Sequence, residues 1–443
     1  MDVLPLPPRP DFEQYRKLAK DLVAATRADD AGDAVRVWAR GWLESLARAL
    51  ETPITPFVRD SMDRAVEHIA SRVRDERATR PRGARFRLAD AHFLIANAHG
   101  FPHWAAFEQH VRRASGDGTE RDPFEAAADA IVGGDLATLA EILRRQPALV
   151  RARSARVHGA TLLHYIAANG VEDFRQKTPP NAVPIARALL DAGAEVDALA
   201  NTYSGGWWQT TLNLLVSSAH PAEAGLQCAL VDVLVDFGAA VHGVKNDQSP
   251  IMTALAFGYL DAAETLVRRG ARVDNVLTAA ALGRADLLGS FVLDAGTLRP
   301  GVPLVAPGWL RLPDRADTHL AHALVWACRF GGVEAAAFLL ETGVDPAAAD
   351  GSAMTCLHHA AARGDTALIR LLLEHGAPLE AVNQWGGTVL DSTGWFAMNN
   401  PAAGVDYAAV MEMLIAAGAD VNAAFPTGDA VLDAMLRRHG AGG

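Results

Sequence analysis

Lysine is nearly missing from this sequence: four of its 41 cationic side chains are lysines (Lys17, Lys20, Lys177 and Lys245) and the rest are arginines. Against 52 acidic residues the net charge is −11, which excludes a chain that coats nucleic acid over its whole surface and leaves only local basic patches. The arginine and alanine excess reads as the codon habit of a GC-rich genome. Cysteine is as scarce. Cys228, Cys328 and Cys356 are odd in number and far apart, so neither a disulfide framework nor a zinc ribbon is written here, and a reducing cytoplasm is the expected compartment. Long apolar runs are absent too: half of the 443 residues are hydrophobic, enough for two or three domain cores, yet no run is long enough to span a bilayer. The opening MDVLPLPPRP has an acid at position 2 and four prolines where a secretory leader needs a basic start and an apolar stretch, so the expectation is a soluble cytoplasmic protein.

Catalytic signatures are missing as well. The chain has no G-x-x-x-x-G-K-[ST], no G-x-G-x-x-G after a strand, no H-E-x-x-H, no C-x-x-C and no G-x-S-x-G. Metal-ligand spacing is equally weak: His358 and His359 are adjacent and point to different sides of a helix, and His92 and His99 stand two turns apart in an unrelated segment. No metal and no cofactor is expected.

What the sequence does have is repetition. LLLEHGAPLEAVN (371–383) aligns with LLDAGAEVDALA (189–200), LVDFGAAVHGV (234–244), LVRRGARVDN (266–275), LLETGVDPAAA (339–349) and LIAAGADVNAA (414–424). Each is the end of an apolar helix, then a glycine, then a short extended run. Gly193, Gly238, Gly270, Gly343, Gly376 and Gly418 stand where a helix end needs positive φ; a weaker copy adds Gly296. Upstream of each lies a second signature: TLLHYIAANG (161–170), TTLNLLVSSA (210–219), SPIMTALAFG (249–258), HALVWACRFG (322–331), TCLHHAAARG (355–364) and TVLDSTGWFA (388–397). Gly343 to Gly376 is 33 residues and Gly238 to Gly270 is 32.

This pattern resembles the ankyrin repeat, whose T-P-L-H-x-A opens an inner helix and whose period is 33. The resemblance implies an all-α, ankyrin-type α-solenoid of about eight repeats over 120–443, from a degenerate first copy (DPFEAAADAIVGGDLATLAEIL) to a final half-copy (GDAVLDAMLRRHG). It also implies structural roles for Thr and His of T-x-L-H, so His164 and His358 are expected to bond backbone within and between repeats.

The departures from the period are the informative places, because an insertion has to leave the stack as a loop. VEDFRQKTPPNAVP, HPAEAGLQ and MNNPAAGVDY lengthen the second, third and eighth repeats, and ANTYSGGWWQT and TLRPGVPLVAPGWLRLPDRADT stretch the connections before the third and sixth. Aromatics gather there: Tyr203, Trp207, Trp208, Trp309, Trp385, Trp395 and Phe396. Large exposed rings are typical binding anchors. Adjacent rings face apart, so one of Trp207 and Trp208 is expected buried and the other available.

A second stripe follows from the resemblance, in which the residue after the T-x-L-H position usually faces a concave groove. That column reads Tyr165, Leu214, Thr253, Thr278, Trp326, His359 and Ser392, and one turn further come Asn169, Ser217, Ser218, Phe257, Arg329, Phe330, Arg363 and Trp395. The candidate partner-binding residues are therefore Tyr165, Trp207, Trp208, Trp326, Arg329, His359, Arg363 and Trp395.

Residues 11–115 do not follow the period. DFEQYRKLAKDLVAATRA, AVRVWARGWLESLARAL and MDRAVEHIASRVRDERA read as amphipathic helices, and RLADAHFLIANAHGFPHWAAFEQHV resembles a short segment found ahead of ankyrin arrays in bacterial proteins. Residues 1–115 are therefore read as a helical N-terminal cap, with Phe101 and Trp104 as core staples. Arg59 to Arg113 holds eleven arginines against seven acids, but the helix pair around 88–112 offers Ala, Phe, Glu and His where a DNA reader needs a polar stripe, so nucleic acid is not the expected partner.

Arrays that resemble ankyrin are overwhelmingly interaction modules, so the leading expectation is non-catalytic recognition of a protein or peptide through groove and finger loops, with no membrane role. The alternative is a protein that binds an apolar small molecule, or an enzyme, if the loops at 171–184, 203–209 and 297–317 close the groove around Trp207, Trp208, Trp326 and His359, with Tyr165, His322, His359 and Asp391 as the groups capable of acid–base work.

Overall fold

In the computed structural model of the chain, residues 3–7, 10–28, 30–50, 52, 55–79, 81, 85–115, 122–202, 207–294, 297–305, 310 and 312–442 are described. Tyr203, Gly296 and Trp309 lie outside them, as does the side chain of Trp207. The chain forms two compact units, Met1–Ala240 and Val241–Gly443.

The N-terminal unit begins with five helices: α1 (Phe12–Ala25), α2 (Ala31–Ala49), α3 (Pro56–Ala78), α4 (Leu88–Ala98) and α5 (Trp104–Ser115). Asp11 and Asp30 cap the first two, each accepting from a backbone N–H of the first turn. Their apolar stripes meet in one core of Phe12, Tyr15, Leu22, Trp42, Ile95, Phe101 and Phe107, with Trp104 packed against it. His92 stacks on Trp104 with centroids 3.9 Å apart, and His99 is buried with Nδ1 donating to the carbonyl of Leu4 at 2.9 Å. The two histidines are parts of the packing.

Helix pairs follow in the same unit: α6 (Pro123–Gly133) with α7 (Leu136–Arg145), a 3-10 turn (Leu162–Ala167) with α8 (Ala182–Asp191), and α9 (Thr211–Leu215) and α10 (Ala219–Glu223) with α11 (Gln227–Asp236). The degenerate first copy is thus a full helix pair. Between the second and third pairs, β1 (Ala200–Thr202) runs antiparallel to β2 (Trp207–Gln209), with Asn201 opposite Trp208. The N-terminal helices share their compact unit with the first repeats. Arg156 and Val157 reach back to them, Arg156 Nη1 donating to the carbonyl of His99 and the Val157 N–H to that of Gly100, both at 2.7 Å.

The C-terminal unit contains α12 (Ser249–Phe257), α13 (Leu260–Arg268), α14 (Val276–Ala281), α15 (Ala285–Phe291), α16 (Ala316–Phe330), α17 (Val333–Glu341), α18 (Cys356–Arg363), α19 (Thr366–Glu374), α20 (Val389–Asn399), α21 (Tyr407–Ala416) and α22 (Ala430–Arg438). A short antiparallel pair, β3 (Val292–Asp294) and β4 (Thr297–Leu298), opens the long insertion after α15. Even-numbered helices are the inner ones and odd-numbered the outer, and each pair buries its apolar faces against its neighbours. Leu357, Leu368, Ile369, Leu372 and Leu390 are all essentially inaccessible, each worth roughly 1.5–3 kcal/mol relative to exposure.

The glycines after the outer helices take positive φ as the repeat requires, from +80° at Gly376 to +104° at Gly418. The fold class expected from the repeats, an all-α array of stacked helix pairs with few and short strands, is the one formed. Among the described residues no helix is long and apolar enough to cross a membrane.

Candidate functional site

The T-x-L-H motifs form the joints of the array. The Thr161 N–H donates to Nδ1 of His164 at 3.1 Å, which leaves the ring proton on Nε2, 3.4 Å from the carbonyl of Gln209 at the next repeat. Thr355 and His358 repeat the arrangement at 3.2 Å, with Nε2 of His358 3.4 Å from the carbonyl of Gly387. Burial pushes His164 down to about 4 and lowers His358, so both rings are neutral. As the resemblance implied, these histidines are structural.

The first column predicted to face a groove does not face one. Tyr165 is 0% exposed and Trp326 3%, and Leu214, Thr253, Thr278 and Ser392 are buried as well. An inner helix is flanked by its outer partner and by inner helices on both sides, so the residue following the T-x-L-H position is turned into a neighbour. Tyr165 and Trp326 are core residues, and neither is available to a partner. His359 is the partial exception: its side chain is 12% exposed and its Nε2 lies 3.0 Å from Oδ2 of Asp350.

Asp350 uses its two oxygens for different tasks. Oδ1 accepts from the N–H groups of Ser352 at 2.8 Å and Met354 at 3.1 Å, closing the finger turn, and Oδ2 takes His359. Burial would raise its pKa, but the bonds from His359 and the backbone outweigh this and hold it below the usual carboxylate range. The pair clamps a finger to its inner helix. Both carboxylate oxygens are committed within the chain, so the pair braces the finger. Among the described residues no group of three or more His, Cys, Asp or Glu is placed to hold a metal ion.

The open strip lies one turn further along the inner helices. Phe257 at the end of α12 is 52% exposed and Trp395 on α20 is 55% exposed; Arg363 on α18 is exposed and Arg329 on α16 half-buried. The two arginines form a ladder. Nη1 of Arg329 donates to the carbonyl of Ala256 at 3.0 Å, and Nη1 of Arg363 to that of Arg329 at 3.4 Å. The phenol of Tyr407 does the same to Ala362 at 2.9 Å, and in the N-terminal unit the hydroxyl of Ser218 does so to Ala168 at 3.2 Å. Each satisfies a carbonyl left open at the C-terminal end of an earlier inner helix or turn, α12 in the case of Arg329. The guanidiniums fit because glycine ends those helices: a Cβ on Gly331 would come 2.6 Å from Nη2 of Arg363.

Trp395 stands against Phe396 edge to face, with centroids 5.3 Å apart, at the end of this strip. The finger before α20 carries Trp385, 69% exposed, and Val382, 52% exposed. Asn383 fixes that finger: its Oδ1 accepts from Trp385 N at 2.9 Å and Gly387 N at 3.1 Å, and its Nδ2 donates to Ser392 Oγ on α20 at 2.9 Å. Val382 and Met398 were missed in the sequence because apolar residues there look like ordinary core positions. In the N-terminal unit Trp208 is 58% exposed on β2.

A buried ionic cluster in the N-terminal unit was also missed. Arg175 binds Oε2 of Glu125 at 2.8 Å, Oδ1 of Asp129 at 2.8 Å and Oε1 of Glu172 at 3.4 Å; Arg156 pairs with Glu125 at 3.1 Å and with Glu172. Tyr165 donates to Glu172 at 3.4 Å. Burial alone would raise both carboxyls, but the guanidiniums of Arg156 and Arg175 prevail and hold Glu125 down at about 2 and Glu172 lower still. The signal was in the insertion VEDFRQKTPPNAVP, where Glu172 and Arg175 are three residues apart. The cluster ties the second repeat to α6, and it borders a cavity of about 170 Å³ near Pro5 and Phe174.

Comparison with curated proteins finds no match. Among solved structures, the human ASB11 ankyrin repeat domain aligns with 68% of this chain and 99% of its own, at 22% identity and a TM-score of 0.32. Residues 324–373, which run from the second half of α16 to the end of α19, match the family model of ankyrin repeats in many copies.

Proposed function

We propose that the chain is a non-catalytic recognition protein that binds a protein partner on the open strip and fingers of its C-terminal unit, in a bacterial cytoplasm. Ankyrin repeats are generally protein interaction modules, and the matched repeats carry two of the residues in question, Arg329 and Arg363. The observation that carries the reading is the exposure of Phe257, Trp385 and Trp395 on a surface otherwise braced by backbone-bonded arginines. Aromatic rings and arginines held rigid before binding lose little entropy on contact, which is how interface anchors work. Helices α1 to α5 serve this reading as a cap on the first repeat, supported by the bonds from Arg156 and Val157.

The test is native mass spectrometry of the protein isolated from its host, then repeated with Trp385→Ala/Trp395→Ala. A stoichiometric protein adduct lost from the variant, with affinity down by roughly 30-fold or more, supports the reading. An adduct that survives the double substitution, or a bound mass of a few hundred daltons in its place, overturns it.

A further inference from the structure

The arginine surplus of the N-terminal helices converges on one cleft. A cavity of about 1010 Å³ opens between the α1–α2 connection, the last turns of α3 and the segment before α4, and it is rimmed by Arg27, Arg36, Arg74, Arg77 and Arg85. Among the described residues no carboxylate lines it. Its floor is apolar and fixed, made by Val35, Val73 and Phe86, each no more than 5% exposed. Arg36 is committed to Oε1 of Glu67 at 2.7 Å. The other four form no ion pair among the described residues, while Arg16, Arg40, Arg112 and Arg144 of the same unit pair with Glu13, Asp63, Glu108 and Glu141, and Arg48, Arg59 and Arg64 stand unpaired but apart from one another.

Two of the four have a partial structural explanation. Arg77 lies in the last turn of α3 and Arg27 just past the end of α1, where cations complement the helix dipole. Arg74 and Arg85 have none. Gathering four guanidiniums without ion-pair partners around one cleft makes it a local seat of positive potential in a chain whose net charge is −11.

We propose that this cleft binds a compact organic polyphosphate. A planar guanidinium meets two phosphate oxygens at once, and a few linked phosphates concentrate about four negative charges in the space the four arginines surround. An extended acidic peptide fits less well, because its side chains alternate and only every second carboxylate would face the rim. A nucleic-acid strand would have to continue past the cleft over an acidic chain, which the field opposes. The cleft is at the upper end of the volumes that small-molecule sites occupy, roughly 300–1,000 Å³.

Isothermal titration of the full chain with inorganic tripolyphosphate at low salt tests this. One equivalent should bind, and Arg74→Gln/Arg77→Gln should weaken it by about tenfold or more, since each lost contact is a charge-assisted bond. Both side chains are exposed, so circular dichroism and thermal unfolding should match the unaltered protein. Arg144→Gln/Arg145→Gln removes the same charge from α7 and should leave binding unchanged. No heat at millimolar tripolyphosphate, or an equal loss in the α7 control, overturns the proposal. So does tighter binding of a twelve-residue polyglutamate or of a twelve-nucleotide thymidine strand, which would assign the cleft to an acidic peptide or to single-stranded nucleic acid.

Discussion

Arg329 donates to the carbonyl of Ala256 across 3.0 Å, from the end of one inner helix to the end of another, and burial lowers its affinity for its proton without removing the charge. The side chain is therefore part of the frame as well as of the exposed strip. Arg329→Met keeps the aliphatic packing and leaves a helix-end carbonyl unbonded, which should cost about 1–3 kcal/mol in urea unfolding of the full chain. An unchanged transition would show that the ladder is decoration on a stack held by its leucines.

Gly364 and Gly376 separate two costs that usually arrive together. Both have positive φ, +67° and +80°, but a Cβ on Gly376 meets nothing within 4 Å, whereas one on Gly364 runs into Cγ1 of Val405. Gly376→Ala should lose about 1–2 kcal/mol from backbone strain alone. Gly364→Ala should lose clearly more, and Gly364→Ala/Val405→Ala should return toward the Gly376→Ala value. Equal losses in the two single variants would mean that the loop before α21 yields freely.

Acid should weaken the N-terminal unit in two steps. Unfolded histidines take up a proton near pH 6.5, but burial holds His99 neutral to about 3 and His164 to about 4. Between those values the unfolded chain binds more protons, so stability falls as pH drops from 6.5 toward 4. Glu125 then contributes in its own window: its carboxylate, depressed to about 2 by Arg156 and Arg175 against the cost of burial, stabilises fully above pH 4.5 and loses that contribution as pH falls to 2. Urea midpoints followed against pH should show both slopes, and His99→Gln should flatten the upper one. A stability that is level from pH 6.5 to 4.5 would contradict the neutral buried rings.

The helix pairs, the glycines that end them and the structural histidines were legible because each is a local device: a cap, a positive φ, a period. Capping boxes at Thr161/His164 and Thr355/His358 use residues three apart in sequence, so a motif read along the chain reports them directly. The Glu125, Arg156, Glu172 and Arg175 cluster could not be read that way. Its members come from three separate segments, and only the approach of α6 to the 171–184 insertion makes them one group. The first column, with Tyr165 and Trp326, failed for a related reason: a helical period gives the spacing of a face but not how many neighbours cover it.

Trp326 and Trp395 turn that lesson into a measurement. Both are tryptophans on inner helices, and the sequence pattern proposed both as partner contacts, yet Trp326 is 3% exposed on α16 and Trp395 is 55% exposed on α20. Trp326→Ala would empty a packed site, with an expected loss of about 3–5 kcal/mol. Trp395→Ala removes a ring that is already more than half in water and should change folding stability by less than about 1 kcal/mol while weakening capture of the protein partner. Chemical denaturation of the two variants side by side decides it. If Trp326→Ala unfolds at the same urea concentration as the unaltered chain, the tryptophan is not in the core and the first column returns as a binding surface; if Trp395→Ala proves the costlier change, α20 is held against a neighbour that its exposure does not show.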